Sequence, residues 1–118
     1  MKKDRIKGID ITLNNGDEFK LGNSSAEIII SSGHTLGHIL WYFKNDKVLF
    51  TGDVVFNMCI GGLFEGTPKQ MWETIEILKK LPDKTRFFPG HEYLKPAITY
   101  INARILGPEY KEYMEFIL

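Results

Sequence analysis

Three tripeptides constrain this chain more than any other feature: Gly33-His34-Thr35, Thr51-Gly52-Asp53 and Gly90-His91-Glu92 each follow an apolar run. An apolar run that stops at a glycine reads as a strand running out into a loop. The chain is therefore expected to build a sheet whose strand ends carry an imidazole, a carboxylate and a second imidazole. Rigid scaffolds place metal ligands in this way. Neutral imidazole suits zinc or iron, and a carboxylate can bridge two cations. Plainer readings stand beside this one, since Gly52-Asp53 is also ordinary turn chemistry and His91 an ordinary solvated loop residue. His34, His38 and His91 are all the histidines of the chain, too few for a complete two-metal site. His38 follows His34 by four residues, but Gly33 and Gly37 disfavour the helix that would put both rings on one face. It reads as a structural residue, orienting a neighbour through its other ring nitrogen. Cys59, the single cysteine, reads as a small buried residue, because no cation lies near it in sequence to lower its pKa.

Elsewhere the pattern is that of strands followed by helices. Residues 8–13 are expected to form a strand, Asn14-Asn15-Gly16-Asp17 a turn and residues 18–21 the returning arm. Residues 26–31, containing Ile28, Ile29 and Ile30, read as a strand buried on both faces. Residues 39–43 and 47–50 read as two strands joined at Asn45-Asp46. A helix is expected from Pro68 to about Lys80, with Thr67 as N-cap, Pro68 at its first position and Gln70 closing a capping box. Its apolar stripe is Met71, Ile75 and Leu78, with Trp72 at the margin. Residues 85–88 read as a further strand. From Leu94 the pattern turns helical, is broken by Gly107-Pro108 and ends in an amphipathic stretch over 109–118. This order implies an α/β (α+β) domain, a mixed sheet with helices packed on it.

A length of 118 residues bounds the chain to one domain. With 15 basic and 15 acidic residues the net charge is zero, which argues against nucleic acid as a partner. The opening Met1-Lys2-Lys3-Asp4-Arg5 is not followed by the apolar core of a signal peptide. No apolar run approaches the roughly 20 residues that cross a membrane. Together with the lone cysteine, these features make the cytoplasm the expected location and a membrane an unexpected partner.

The wording of the motifs is more specific than their spacing. Ser32-Gly33-His34-Thr35-Leu36-Gly37-His38, Leu49-Phe50-Thr51-Gly52-Asp53, Leu63-Phe64-Glu65-Gly66-Thr67 and Pro89-Gly90-His91-Glu92-Tyr93 occur in that order. They closely resemble the metallo-β-lactamase superfamily, and within it glyoxalase II, the hydroxyacylglutathione hydrolases. The resemblance runs from about Gly8 to Tyr93. Phe64-Glu65-Gly66-Thr67 selects this branch over persulfide dioxygenase-like or lactamase-like members. The resemblance implies half of an αβ/βα sandwich. It also implies a dinuclear centre, usually zinc with iron or manganese possible. There a metal-bound hydroxide attacks a glutathione thiolester, converting S-D-lactoylglutathione to D-lactate and glutathione. His34 matches a ligand of the first metal, His91 a ligand of the second, and Asp53 the catalytic carboxylate bridging both. Tyr93 matches a residue lying against glutathione, and Phe64 a neighbouring aromatic of the substrate pocket.

The match also departs from the family. Its first signature, Thr-His-x-His-x-Asp-His, belongs upstream of Gly8 and does not occur in the seven residues there. Residues 1–93 are thus expected to be a partial domain lacking the first metal-binding motif, and residues 94–118 a truncated helical segment. Each metal would keep one histidine and the shared Asp53, or a single ion would be held jointly by His34, Asp53 and His91. Gly62 stands where the family has a basic residue near glutathione. The sheet face that the other half would cover is expected to meet a partner, because a large open apolar face is unusual in a soluble monomer. That partner is a second copy in an isologous homodimer or a complementary N-terminal half. The expected reaction is thiolester hydrolysis, with the isolated chain inactive for want of ligands. The alternatives are a non-catalytic remnant, a dimerising half-domain, or one half of a split hydrolase.

Overall fold

The computed structural model describes residues 6–104. Strands β1 (Glu18–Leu21), β2 (Ser24–Ile30), β3 (Ile39–Phe43) and β4 (Val48–Gly52) are followed by the short pair β5 (Val55–Phe56) and β6 (Cys59–Ile60). Helix α1 (Pro68–Leu78), strand β7 (Arg86–Pro89) and helix α2 (Leu94–Arg104) complete the described residues. The main sheet has the order β1-β2-β3-β4-β7. It is mixed: β1 to β4 pair antiparallel and β7 joins β4 in parallel. Both β2 and β4 oppose β3, so they run in the same direction, and β7 follows them. The C-terminal ends of β2, β4 and β7 therefore leave the sheet at one edge. Those are the ends that carry His34, Asp53 and His91.

The first hairpin differs from the expected one. Residues 8–13 form no strand; β1 pairs instead with β2 in the register Phe19↔Ala26 and Leu21↔Ser24. The turn at Asn14 does form, with Asp17 N–H donating to Asn14 O at 3.2 Å and the Asp17 carboxylate accepting Asn14 N–H at 2.6 Å. It leads into the sheet and does not close a hairpin. The closure is the two-residue loop Gly22-Asn23, where Gly22 takes φ +59°. A left-handed first loop residue matches the twist of the flanking strands, and this prevails over the apolar alternation of residues 8–13.

The core lies on one face of the sheet, where Ile29, Leu40, Tyr42 and Leu49 cluster with Val54 and with Met71 of α1, and Leu78 and Leu81 pack against them. Helix α1 begins as expected: Gln70 N–H donates to Thr67 Oγ1 at 3.2 Å and Thr67 N–H donates to Gln70 Oε1 at 2.9 Å. Its inward face keeps Met71 and Leu78 of the expected stripe and adds Thr74. Met71 and Thr74 are the buried positions, whereas Trp72 is 61% exposed, with the Lys79 ammonium 5.7 Å from its ring. The Thr74 hydroxyl is not wasted inside, because it donates to Ser32 O at 3.1 Å and ties α1 to the loop that carries His34.

The opposite face is a ladder of aromatics. Pairing aligns Ile28, Trp41, Phe50 and Phe88 in one row across β2, β3, β4 and β7. Trp41 meets Phe19 edge-on at 5.4 Å, Phe50 meets Phe43 edge-on at 5.8 Å, and Phe50 stacks on Phe88 at 5.5 Å. Phe50 and Phe88 remain 45% and 43% exposed. Burial of β2 on both faces holds for Ile28 and Ile29 and ends at Ile30, which is exposed.

Helix α2 starts at Leu94 as expected and buries Ile98. The Gly107-Pro108 break and the amphipathic stretch 109–118 lie outside the described residues. Among those described, no helix is long and apolar enough to cross a membrane.

The observed helix face has a measurable consequence. Met71→Ala should cost about 2–5 kcal/mol, as for other large buried side chains. Trp72→Ala should stay within about 0.5 kcal/mol, as an exposed surface change does. Denaturant unfolding of the two variants checks the assignment, and an equal loss in both would refute it.

Candidate metal centre

At the shared sheet edge, the three loops converge on one carboxylate. Asp53 directly follows β4, and its two oxygens address different histidines. Oδ1 lies 2.6 Å from His91 Nδ1, and Oδ2 lies 3.6 Å from His34 Nε2. One carboxylate is thus divided between two imidazoles.

Hydrogen bonding assigns the tautomers. His34 Nδ1 lies 2.8 Å from Gly62 O; a carbonyl only accepts, so Nδ1 carries the proton and Nε2 presents a lone pair. That lone pair faces Asp53 Oδ2, another electron-pair donor, so the pair is satisfied only by a proton or a cation between them. His91 Nδ1–H donates to Asp53 Oδ1, leaving its Nε2 free toward solvent, with the side chain 57% exposed. An imidazole lone pair and a carboxylate oxygen thus face each other on the His34 side, a donor pair that suits a first-row divalent cation, while on the His91 side the carboxylate is met by an N–H. Among the described residues no group of three or more His, Cys, Asp or Glu side chains stands ready to hold one ion. What the described residues show is one carboxylate contacted by two imidazoles.

Each histidine has an aromatic neighbour. Phe64 meets His34 edge-on at 4.9 Å and is 78% exposed. Tyr93 stacks on His91 at 5.6 Å and 14°, and meets Phe56 edge-on at 4.9 Å. The fold thereby gathers Phe64 and Tyr93 around the same carboxylate. Cys59 lies in β6 and is half-buried.

His38 lies behind the Gly52-Asp53 turn. Burial is the main cause that lowers its pKa; the neighbouring His34 lowers it further and Asp53 opposes both. Ser31 Oγ lies 2.7 Å from its Nδ1, and Asp53 N–H donates to its Nε2 at 3.3 Å.

Sequence reading passed over the backbone clamps. The motif Phe64-Glu65-Gly66-Thr67 holds the His34 loop. Phe64 N–H donates to His34 O at 3.2 Å, Gly66 N–H donates to Gly33 O at 3.0 Å, and the Glu65 carboxylate accepts Leu36 N–H at 2.9 Å. A Cβ at Gly66 would lie 2.6 Å from the Gly33 main chain, so the two loops touch backbone to backbone. Gly62 contributes through its carbonyl, which orients His34, and a Cβ there would meet only Phe64 Cζ at 3.9 Å. Nothing in the packing requires glycine at 62.

The geometry agrees with what the chain resembles. The family model of the metallo-beta-lactamase superfamily matches residues 1–91. The hydroxyacylglutathione hydrolase of Methylococcus capsulatus is 46% identical over 100 residues, which cover 85% of this chain and 37% of that protein. The hydroxyacylglutathione hydrolase of Hyphomonas neptunium is 41% identical over 114 residues, covering 97% and 44%. The chain thus spans about two fifths of the length of these curated relatives. Among solved structures, ETHE1 from Myxococcus xanthus superposes with a TM-score of 0.67 at 27% identity, covering 74% of this chain and 39% of that one. A di-iron-bound form of TTHA1623 superposes with a TM-score of 0.60 at 29% identity, covering 69% and 40%.

The two glycines separate steric need from chemical choice. Gly66→Ala should destabilise the fold by about 1–3 kcal/mol, the usual cost of overpacking. Gly62→Ala should change it by no more than about 0.5 kcal/mol. Thermal unfolding of both variants reads the difference, and a tolerated Gly66→Ala would refute the clamp.

Proposed function

The chain belongs to the metallo-β-lactamase superfamily, and from that premise we propose that it supplies half of a glyoxalase II-type thiolester hydrolase centre. One observation carries the reading: the two oxygens of Asp53 are divided between His34 and His91. In this reading His34 would hold one cation through Nε2, His91 would hold a second once its Nδ1–H bond to Asp53 gives way, and Asp53 would be shared by both. Zinc is the metal proposed, with iron or manganese as substitutes. Cations held there would supply an acidified water and a polarised carbonyl. The chain's own residues orient and cover. Gly62 O fixes the His34 ring, and Phe64 and Tyr93 flank the two histidines where a glutathione thiolester would lie. Hydroxyacylglutathione hydrolases are the relatives in point, and S-D-lactoylglutathione is the substrate proposed.

Residues 1–93 hold one histidine for each side of Asp53, fewer than the three or four protein ligands usual for zinc. The remaining ligands come from the half of the sandwich that these residues do not encode. We place that half on the aromatic face, where Phe50 and Phe88 are nearly half exposed. A complementary half is favoured over a second copy, because most of each relative's length lies outside the matched region. A second reading, a folded but non-catalytic domain, is favoured by Gly62, where the family's cation is replaced although a Cβ meets only an ordinary contact.

The 118-residue chain with excess zinc should not hydrolyse S-D-lactoylglutathione above background. Mixing it with a polypeptide bearing Thr-His-x-His-x-Asp-His should restore turnover, which Asp53→Asn should abolish. Association without turnover would decide for the non-catalytic domain. In the reconstituted enzyme, Phe64→Ala and Tyr93→Ala should each raise KM by roughly 3- to 10-fold, the worth of one aromatic contact. Unchanged KM values would remove both residues from the substrate site.

A further inference from the structure

We propose that His38 is a positioning residue whose ring, held by Ser31, is the fixed acceptor that anchors the Asp53 main chain and so aims the carboxylate. The inference rests on the reading of His34, Asp53 and His91 as ligands and adds to it the element that sets their geometry.

Ser31 and His38 are joined twice. Ser31 N–H donates to His38 O at 2.9 Å, and the Ser31 hydroxyl lies 2.7 Å from His38 Nδ1. This double link closes the loop carrying His34 at its base. Because Asp53 N–H donates to His38 Nε2, Nε2 is the unprotonated nitrogen, and Nδ1–H donates to Ser31 Oγ. The ring therefore joins the end of β2 to the end of β4. It also lies directly beneath the turn: Gly52 has φ +51°, and a Cβ there would be 2.6 Å from His38 Nε2. The turn that presents Asp53 thus rests on the imidazole edge.

Two other roles fail on the same geometry. Ser31, His38 and Asp53 have the composition of a nucleophilic triad, yet Ser31 is fully buried, and it is the Asp53 main-chain donor that meets the ring. A general base needs its free nitrogen turned toward substrate, and here Nε2 is occupied by the protein's own N–H.

The remaining competitor is that the ring only fills space. Three variants separate the two. His38→Phe keeps the volume and removes both bonds. His38→Asn reaches Ser31 but falls short of Asp53. His38→Gln can place its carbonyl oxygen where Nε2 stood. Cobalt(II) affinity of the 118-residue chain and its variants is measured by chelator competition, with folding checked by circular dichroism. Phe and Asn should weaken binding by about 10- to 100-fold, the range typical of residues that orient ligands. Gln should stay within about 3-fold of the parent, on the same scale of effect. Parent-like affinity in His38→Phe, or a Gln variant as weak as Phe, overturns the proposal. A metal-free arm reads the same bond: long-range nitrogen NMR of the parent should show the Nδ1–H tautomer, and the Asp53 amide should shift in Phe and Asn but not in Gln. An Nε2–H tautomer overturns the proposal whatever the metal result. A parent that binds no cobalt while the NMR arm holds overturns the ligand assignment and leaves the anchoring of Asp53 standing.

Discussion

The turn at Gly52-Asp53 is the constraint on which the rest of this structure depends. It is approached from three sides: His38 from below, Gly61 against the Asp53 carbonyl, and Gly90, whose N–H donates to Gly52 O at 2.7 Å. Glycine is what fits at 52, because the imidazole edge leaves no space for a Cβ and the left-handed φ disfavours one. The result is a carboxylate on a short, rigid support between loops arriving from β2 and β7. Preorganisation of this kind lets loop residues act as ligands without paying again for their ordering.

The two faces of the sheet have different standing. One is closed by α1 through Met71 and the Ile29-Leu40-Tyr42-Leu49 cluster. The other presents Trp41, Phe50 and Phe88 in a continuous row, and burying a large apolar side chain contributes about 1.5–3 kcal/mol. A face of this composition is worth most when covered, and the candidate centre lies at its edge. Covering the face and completing the centre would thus be one event. This is the physical reason why, in the function proposed, completion of the centre and covering of the aromatic face go together.

Much of this was legible from the residues. Capping by Thr67 and Gln70, the strands about Asn45-Asp46 and the strand-end placement of His34, Asp53 and His91 follow from local chemistry, which acts over a few residues. The first hairpin was misread because a two-residue Gly22-Asn23 loop outweighs a longer apolar alternation. The helix face was misread at Trp72 and Thr74 because a threonine can be buried when its hydroxyl finds a carbonyl, here Ser32 O, 42 residues away in sequence. Glu65 and Gly66 could be recognised as a motif, but not as a clamp on the His34 loop, since main-chain contacts leave no trace in residue type.

By itself, the sequence determined the ancestry, most of the main-sheet strands, helix α1 and the identity of the three ligand candidates, because motif wording and local propensity are properties of neighbouring residues. Only the tertiary structure decided how Asp53 divides its oxygens, which nitrogen of each histidine is free and what holds the turn in place. Those depend on hydrogen bonds between loops tens of residues apart, which exist only once β2, β4 and β7 end at the same edge.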